Sequence, residues 1–86
     1  MKNTSDKISA LVYRVNNEVY FQTSVVINKG IFIAENNNHE TILKTDIEHT
    51  NHGSLSLSKE IKDKQNSLIF SIISGEIKYK KKLEWK

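Results

Sequence analysis

The chain of 86 residues contains no cysteine and no proline, only three glycines, and seven aromatic residues, 8% of the total. Without cysteine there can be no disulfide, thiolate zinc finger, iron–sulfur ligation or thiol catalysis. The three glycines, Gly30, Gly53 and Gly75, stand far apart. No glycine-rich phosphate loop is therefore present, and each reads as a turn residue. Long apolar runs are missing too. Such runs as Val25 to Ile27, Gly30 to Ala34 and Leu68 to Ile73 are far short of the ~18–20 residues of a membrane span. Met1 to Lys7 is polar with no apolar stretch behind it, so no secretory signal is read and the expected location is cytoplasmic, with no membrane partner.

What is present is a lysine-rich, isoleucine-rich and asparagine-rich chain. Lys, Ile and Asn contribute 12, 11 and 9 residues, a composition with AT-rich codons that points to a low-GC genome, bacterial or phage. The net charge is +3 and it is unevenly spread. Residues 1–29 carry four basic and two acidic groups, residues 30–58 one and four, and residues 59–86 eight and four. A basic final third suits nucleic acid, an acidic protein or simple solvation.

The hydrophobic period is two almost throughout, which reads as strands. One domain over 1–86 is expected, with 1–7 a flexible N-terminal segment. Asn16-Asn17 tolerates the positive φ that a two-residue type I′ turn demands twice. That turn pairs Val15 with Glu18, Tyr13 with Tyr20, Val12 with Phe21 and Leu11 with Gln22. Val12, Val19, Phe21, Val25 and Ile27 then share one face. A second turn at Asn28-Lys29-Gly30 pairs Ile27 with Ile31 and Val25 with Ile33. A fourth strand runs from Thr41 to Glu48, with Leu43 and Ile47 inward. After a polar turn at Thr50–Gly53, a fifth holds Leu55 and Leu57. Residues 59–65 read as strand then turn, with a single helical turn capped by Ser58 as the alternative. The last hairpin, around Ser74-Gly75, pairs Ile72 with Ile77 and Phe70 with Tyr79. The fold class expected is all-β: a small antiparallel meander of about seven strands, forming a barrel or a two-sheet sandwich.

Little in the chain suggests chemistry. His39, His49 and His52, with Asp46 and Glu48, are suitable ligand types for zinc, nickel or copper. Their spacing in a turn carries no rigid metal-site pattern, and His49 and His52 point to opposite faces of an extended strand. No metal, cofactor or catalytic residue is assigned. The nine serines include no G-x-S-x-G and no base–orienter arrangement, and the chain is expected not to be an enzyme.

Two surfaces remain as candidates. Leu11, Tyr13, Val15, Val26 and Phe32 make a second apolar set opposite the main core, with Tyr20 beside Tyr13. Tyrosines bury area with few rotatable bonds and favour interfaces. Tyr13, Tyr20, Leu11 and Phe32 are the candidate partner-binding residues. Lys78, Lys80 and Lys82 project together from the final strand and are the candidate nucleic-acid contacts. Lysines on an edge strand also keep two sheets from joining edge to edge. The expected function is a small non-enzymatic binding protein acting through protein–protein contacts. An inhibitor, immunity or accessory protein of a mobile element fits, with a protein partner, a homo-oligomer or both. The alternative is a nucleic-acid-binding barrel.

Overall fold

Asparagine at the left-handed position starts the structure. Asn16 has φ 56° and closes a tight turn between β1 (Ala10–Val15) and β2 (Glu18–Glu35); Asn17 does not share the positive φ, so the turn is not the expected type I′, which demands it twice. The computed structural model describes residues 9–75 and 77–85. The N-terminal segment 1–7 expected to be flexible lies outside the described residues. The first hairpin has the register that the turn dictates: Val15 opposite Glu18, Tyr13 opposite Tyr20, Val12 opposite Phe21 and Leu11 opposite Gln22.

Beyond this hairpin the strands are fewer and longer than expected. β3 covers Thr41–Ser56, a short helix α1 covers Lys59–Lys64, and β4 (Ser67–Ser74) and β5 (Ile77–Glu84) complete the chain. The molecule is mostly β, an antiparallel sheet of five strands, not seven, curled into a half-barrel. β2 is its centre. β3 pairs along nearly its whole length on one edge; β1 takes the first half of the other edge and β4 the second half, with β5 outside β4.

Two expected turns are bends inside continuous strands. No turn forms at Asn28-Lys29-Gly30, so Ile27 does not pair with Ile31, nor Val25 with Ile33. Ile31 and Ile33 lie instead between Asp46 and Lys44 of β3 and Ile73 and Ser71 of β4. A Cβ on Gly30 would stand 2.6 Å from the Ile73 carbonyl oxygen. Its missing side chain thus serves the close passage of β4, not a left-handed turn. Thr50–Gly53 likewise stays within β3, which bends next to His49 at φ 52°.

The bend in β2 is a large bulge. Gln22 pairs with His52 and Ile27 with Thr50, so four residues of β2 (23–26) stand opposite one of β3, Asn51. The excess is three, an odd number, and an odd insertion exchanges the two faces of a strand. Before the bulge the odd residues Val19 and Phe21 face the core; Ile27, directly after it, is still buried, and farther along the even residues Phe32 and Ala34 are fully buried, with Ile33 between them at 9%. Val25, expected in the core, is 46% exposed. The two halves of β2 meet through their aromatics: Phe21 lies 4.7 Å from Phe32, and Phe32 lies 5.8 Å from Phe70, centroid to centroid. Val12, Ile27, Ile47, Leu55, Leu57, Leu68 and Ile72 complete the core.

Residues 59–64 are helical, correcting the strand-then-turn reading. The Ser58 hydroxyl accepts from the Ile61 N–H, Glu60 sits in the first turn, and Lys62 and Lys64 sit in the last, each matched to the helix dipole. Lys62 Nζ donates to Asn17 Oδ1 at 2.7 Å and the Leu57 N–H donates to the Asn17 carbonyl at 2.7 Å, tying this connection to the first turn. The last hairpin turns one residue later than expected. Ser74 pairs with Ile77, Ile72 with Tyr79 and Phe70 with Lys81, with Gly75 at φ 59°. The register moves by two, an even number, so Tyr79 keeps its inward face.

Candidate functional site

The outer face of the first three-stranded half carries the candidate surface. The register sets its side chains in rows: Leu11, Gln22 and His52; Tyr13, Tyr20 and Ser54; Val15, Glu18 and Ser56. The β1 column is apolar, the β2 column mixed and the β3 column polar. Tyr13 and Tyr20 are stacked, with centroids 5.5 Å apart and planes 20° from parallel. Such a cross-strand pair stiffens both rings in place. Ser56 Oγ donates to Glu18 Oε2, which closes the polar side of the last row.

The bulge extends this surface. Thr23 is buried, and its hydroxyl donates to the Val25 carbonyl at 2.6 Å, with the Asn51 carbonyl at 3.3 Å. The irregular segment is therefore held by a satisfied internal hydrogen bond. It turns two successive valines outward, Val25 at 46% and Val26 at 58% exposure. In a regular half-buried strand, one of two neighbours would face the core.

Leu11, Tyr13, Val15 and Val26 of the expected apolar set share exposure, and Tyr20 lies beside Tyr13. Phe32 does not belong with them. It is fully buried between Phe21 and Phe70, because the odd bulge moves it to the core face. Val25 is the contributor that strict alternation misses. The one local hint is Thr23, a polar residue in phase with Val19 and Phe21.

The lysine face is distinct from this surface. Lys78, Lys80 and Lys82 are exposed on β5, opposite Ile73, Ser71 and Ile69 of β4. Lys82 approaches Glu84 at 3.5 Å. Tyr79 points to the other side and packs against the core, so no aromatic ring interleaves with these three lysines. The tryptophan also turns inward: Trp85 Nε1 donates to the Gln65 carbonyl at 2.7 Å, and Arg14 lies over its ring at 5.9 Å.

His39 is in the β2–β3 loop at φ 66°, His49 at the bend of β3, and His52 in the first outer row. Among the described residues, no three of His, Asp and Glu stand close enough together to hold a metal ion. No helix among them is long and apolar enough to cross a membrane. No protein-family model, no curated protein and no solved structure matches the chain.

Proposed function

We propose that this chain is a small non-enzymatic binding protein. It makes protein–protein contacts through the outer face of its first hairpin and the adjoining bulge. One observation carries this reading. Among the described residues, the large hydrophobic side chains left exposed are Leu11, Tyr13, Val15, Val25 and Val26, all from β1 and the bulge of β2. Exposed apolar residues scattered singly over a surface mean little, whereas a group of them on two paired strands marks a contact surface. The stacked tyrosines supply rigid aromatic area at low entropic cost, as interface anchors do.

The second reading, nucleic acid on Lys78, Lys80 and Lys82, rests on their shared exposed face. It has charge for phosphates but no stacking platform, and the net charge of +3 is small for a dedicated nucleic-acid binder.

The experiment is affinity capture from the source organism's lysate, followed by measured binding of the captured protein to variants. Tyr13→Ala and Tyr20→Ala are each expected to cost about 1–2 kcal/mol or more in affinity. The Lys78, Lys80, Lys82→Gln triple change is expected to alter mainly the association rate and its salt dependence. Binding that survives both tyrosine changes, vanishes with the lysine triple change and falls steeply with salt would replace this reading with the nucleic-acid one.

A further inference from the structure

We infer that the outer face of the second half of the sheet is a docking surface for an acidic amphipathic helix of a partner protein. The argument begins with the sequence. Ile31 to Ala34 and Leu68 to Ile73 are short continuous runs, apolar but for Ser71, whereas a strand with one wet face alternates. A continuous run suits a strand covered on both faces. β2 and β4 carry these runs side by side, with Ile31 opposite Ile73, Ile33 opposite Ser71 and Glu35 opposite Ile69.

The inner members of both runs, Phe32, Ala34, Leu68, Phe70 and Ile72, belong to the core. The outer members do not. Ile33 is 9% exposed yet stands outside the core cluster, and Ile31, Ile69 and Ile73 are partly buried without packing against it. They form a second apolar patch around the buried Ser71. Among the described residues no helix or strand packs over this patch. The short helix α1 turns Ile61 to the core and is tied to Asn17 in the first turn.

The register frames the patch with charge. One row across the sheet runs Asp46, Ile31, Ile73, Lys78. The next runs Lys44, Ile33, Ser71, Lys80, and Ile69 follows beside Lys82. On the β3 side Lys44 and Asp46 offset each other, and Glu35 ends the β2 column. On the β5 side Lys78, Lys80 and Lys82 stand in line and exposed. Lys82 meets Glu84 at 3.5 Å, an exposed pair of the kind that holds weakly.

The complementary occupant brings an apolar stripe for the isoleucines and a line of carboxylates beside it. Sheet faces are covered by helices or by other sheets, and the spacing favours a helix. Alternate residues of a strand such as β5 repeat about every 6.8 Å, and carboxylates at i, i+4 and i+8 of a helix repeat about every 6 Å. A helix about 10 Å across laid along β2 and β4 covers the patch and holds those carboxylates over β5. Nucleic acid would engage the lysines and leave the isoleucines bare. An anionic bilayer favours aromatic anchors, and no aromatic side chain stands in these rows.

The test uses the purified full chain and two synthetic helical peptides of about 18 residues. Both carry a leucine stripe; one has glutamates at i, i+4 and i+8 along its flank, the other lysines there. In a chemical-shift titration the acidic peptide should bind with Kd below ~1 mM, and the shifts should fall on Ile31, Ile33, Ile69 to Ile73 and Lys78 to Lys82. Lys78→Glu/Lys80→Glu/Lys82→Glu should weaken the acidic peptide at least ~10-fold and take up the lysine peptide instead. All three lysines are exposed, so circular dichroism should not change. Ile73→Gln should weaken both pairings; should it fail to fold, glutamines in place of the peptide's leucines make the same comparison. Tyr13→Ala and Tyr20→Ala should leave peptide binding unchanged, which separates this inference from the tyrosine-surface reading. No binding up to ~1 mM, equal binding of both peptides by the unaltered chain, or shifts centred on Tyr13 and Tyr20 would each overturn it. So would tighter binding to duplex DNA or to phosphatidylserine vesicles than to the acidic peptide.

Discussion

The hydroxyl of Thr23 donates to the carbonyl of Val25, two residues on, at 2.6 Å. This short bond holds the bulge that exchanges the faces of β2, and it links the core to the exposed valines. Removing it should leave the Val25 carbonyl, in a part-buried bond, short of this donor. Thr23→Val, which keeps the shape and loses the hydroxyl, is expected to cost about 1–3 kcal/mol of stability. Thr23→Ser should retain most of it. Urea unfolding of the two variants checks the expectation, and equal losses would show that the methyl group, not the hydroxyl, is what matters.

Gly53 lies opposite Phe21, and a Cβ there would stand 2.6 Å from the ring. Gly53→Ala should therefore cost about 1–3 kcal/mol through overpacking. In the Phe21→Leu background the same change should cost less, because the obstructing ring is gone. A double-mutant cycle reads the coupling directly; additive effects would mean that the ring simply moves aside.

Ser71 is 1% exposed and its hydroxyl has no hydrogen-bond partner among the described residues. A buried hydroxyl without a partner is a desolvation cost of about 1–3 kcal/mol. Ser71→Ala should be neutral or stabilising in thermal unfolding, unlike most buried substitutions. A clear loss of stability would point to a partner that the hydroxyl finds in solution.

Trp85 couples the end of β5 to the α1–β4 connection and to β1 through its bond to Gln65 and its contact with Arg14. Trp85→Ala is expected to cost ~3 kcal/mol, the low end for a large aromatic. Trp85→Phe should cost about 0.5–1.5 kcal/mol, near the value of the lost indole hydrogen bond. The native fluorescence should be shifted to the blue of free tryptophan; emission already at the solvent-exposed wavelength would show that the ring is not packed.

Local chemistry alone determined the first hairpin. Asn16-Asn17 supports a two-residue turn, a turn of that length sets one register, and the register brings Tyr13 against Tyr20; the turn type differs from the type I′ expected, with positive φ at Asn16 alone. Alternation likewise marked Ile47, Leu55 and Leu57 as inward, since a strand with one wet face admits no other phase. Ser58, Glu60 and Lys64 carried the marks of a helix, but a six-residue helix forms only when docked, and its tie is Asn17, forty-five residues from Lys62. Asn28-Lys29-Gly30 satisfies a hairpin turn as well as it does an extended strand. The choice fell to β3 and β4, which offer β2 ladders on both edges that a turn would have forfeited. From that choice came the side on which Phe32 lies. A period of two records alternation but not an insertion, so the odd bulge at 23–26 stayed invisible until β3 and β4 were in place. The bulge decided that Phe32 joins the core while Val25 joins the surface.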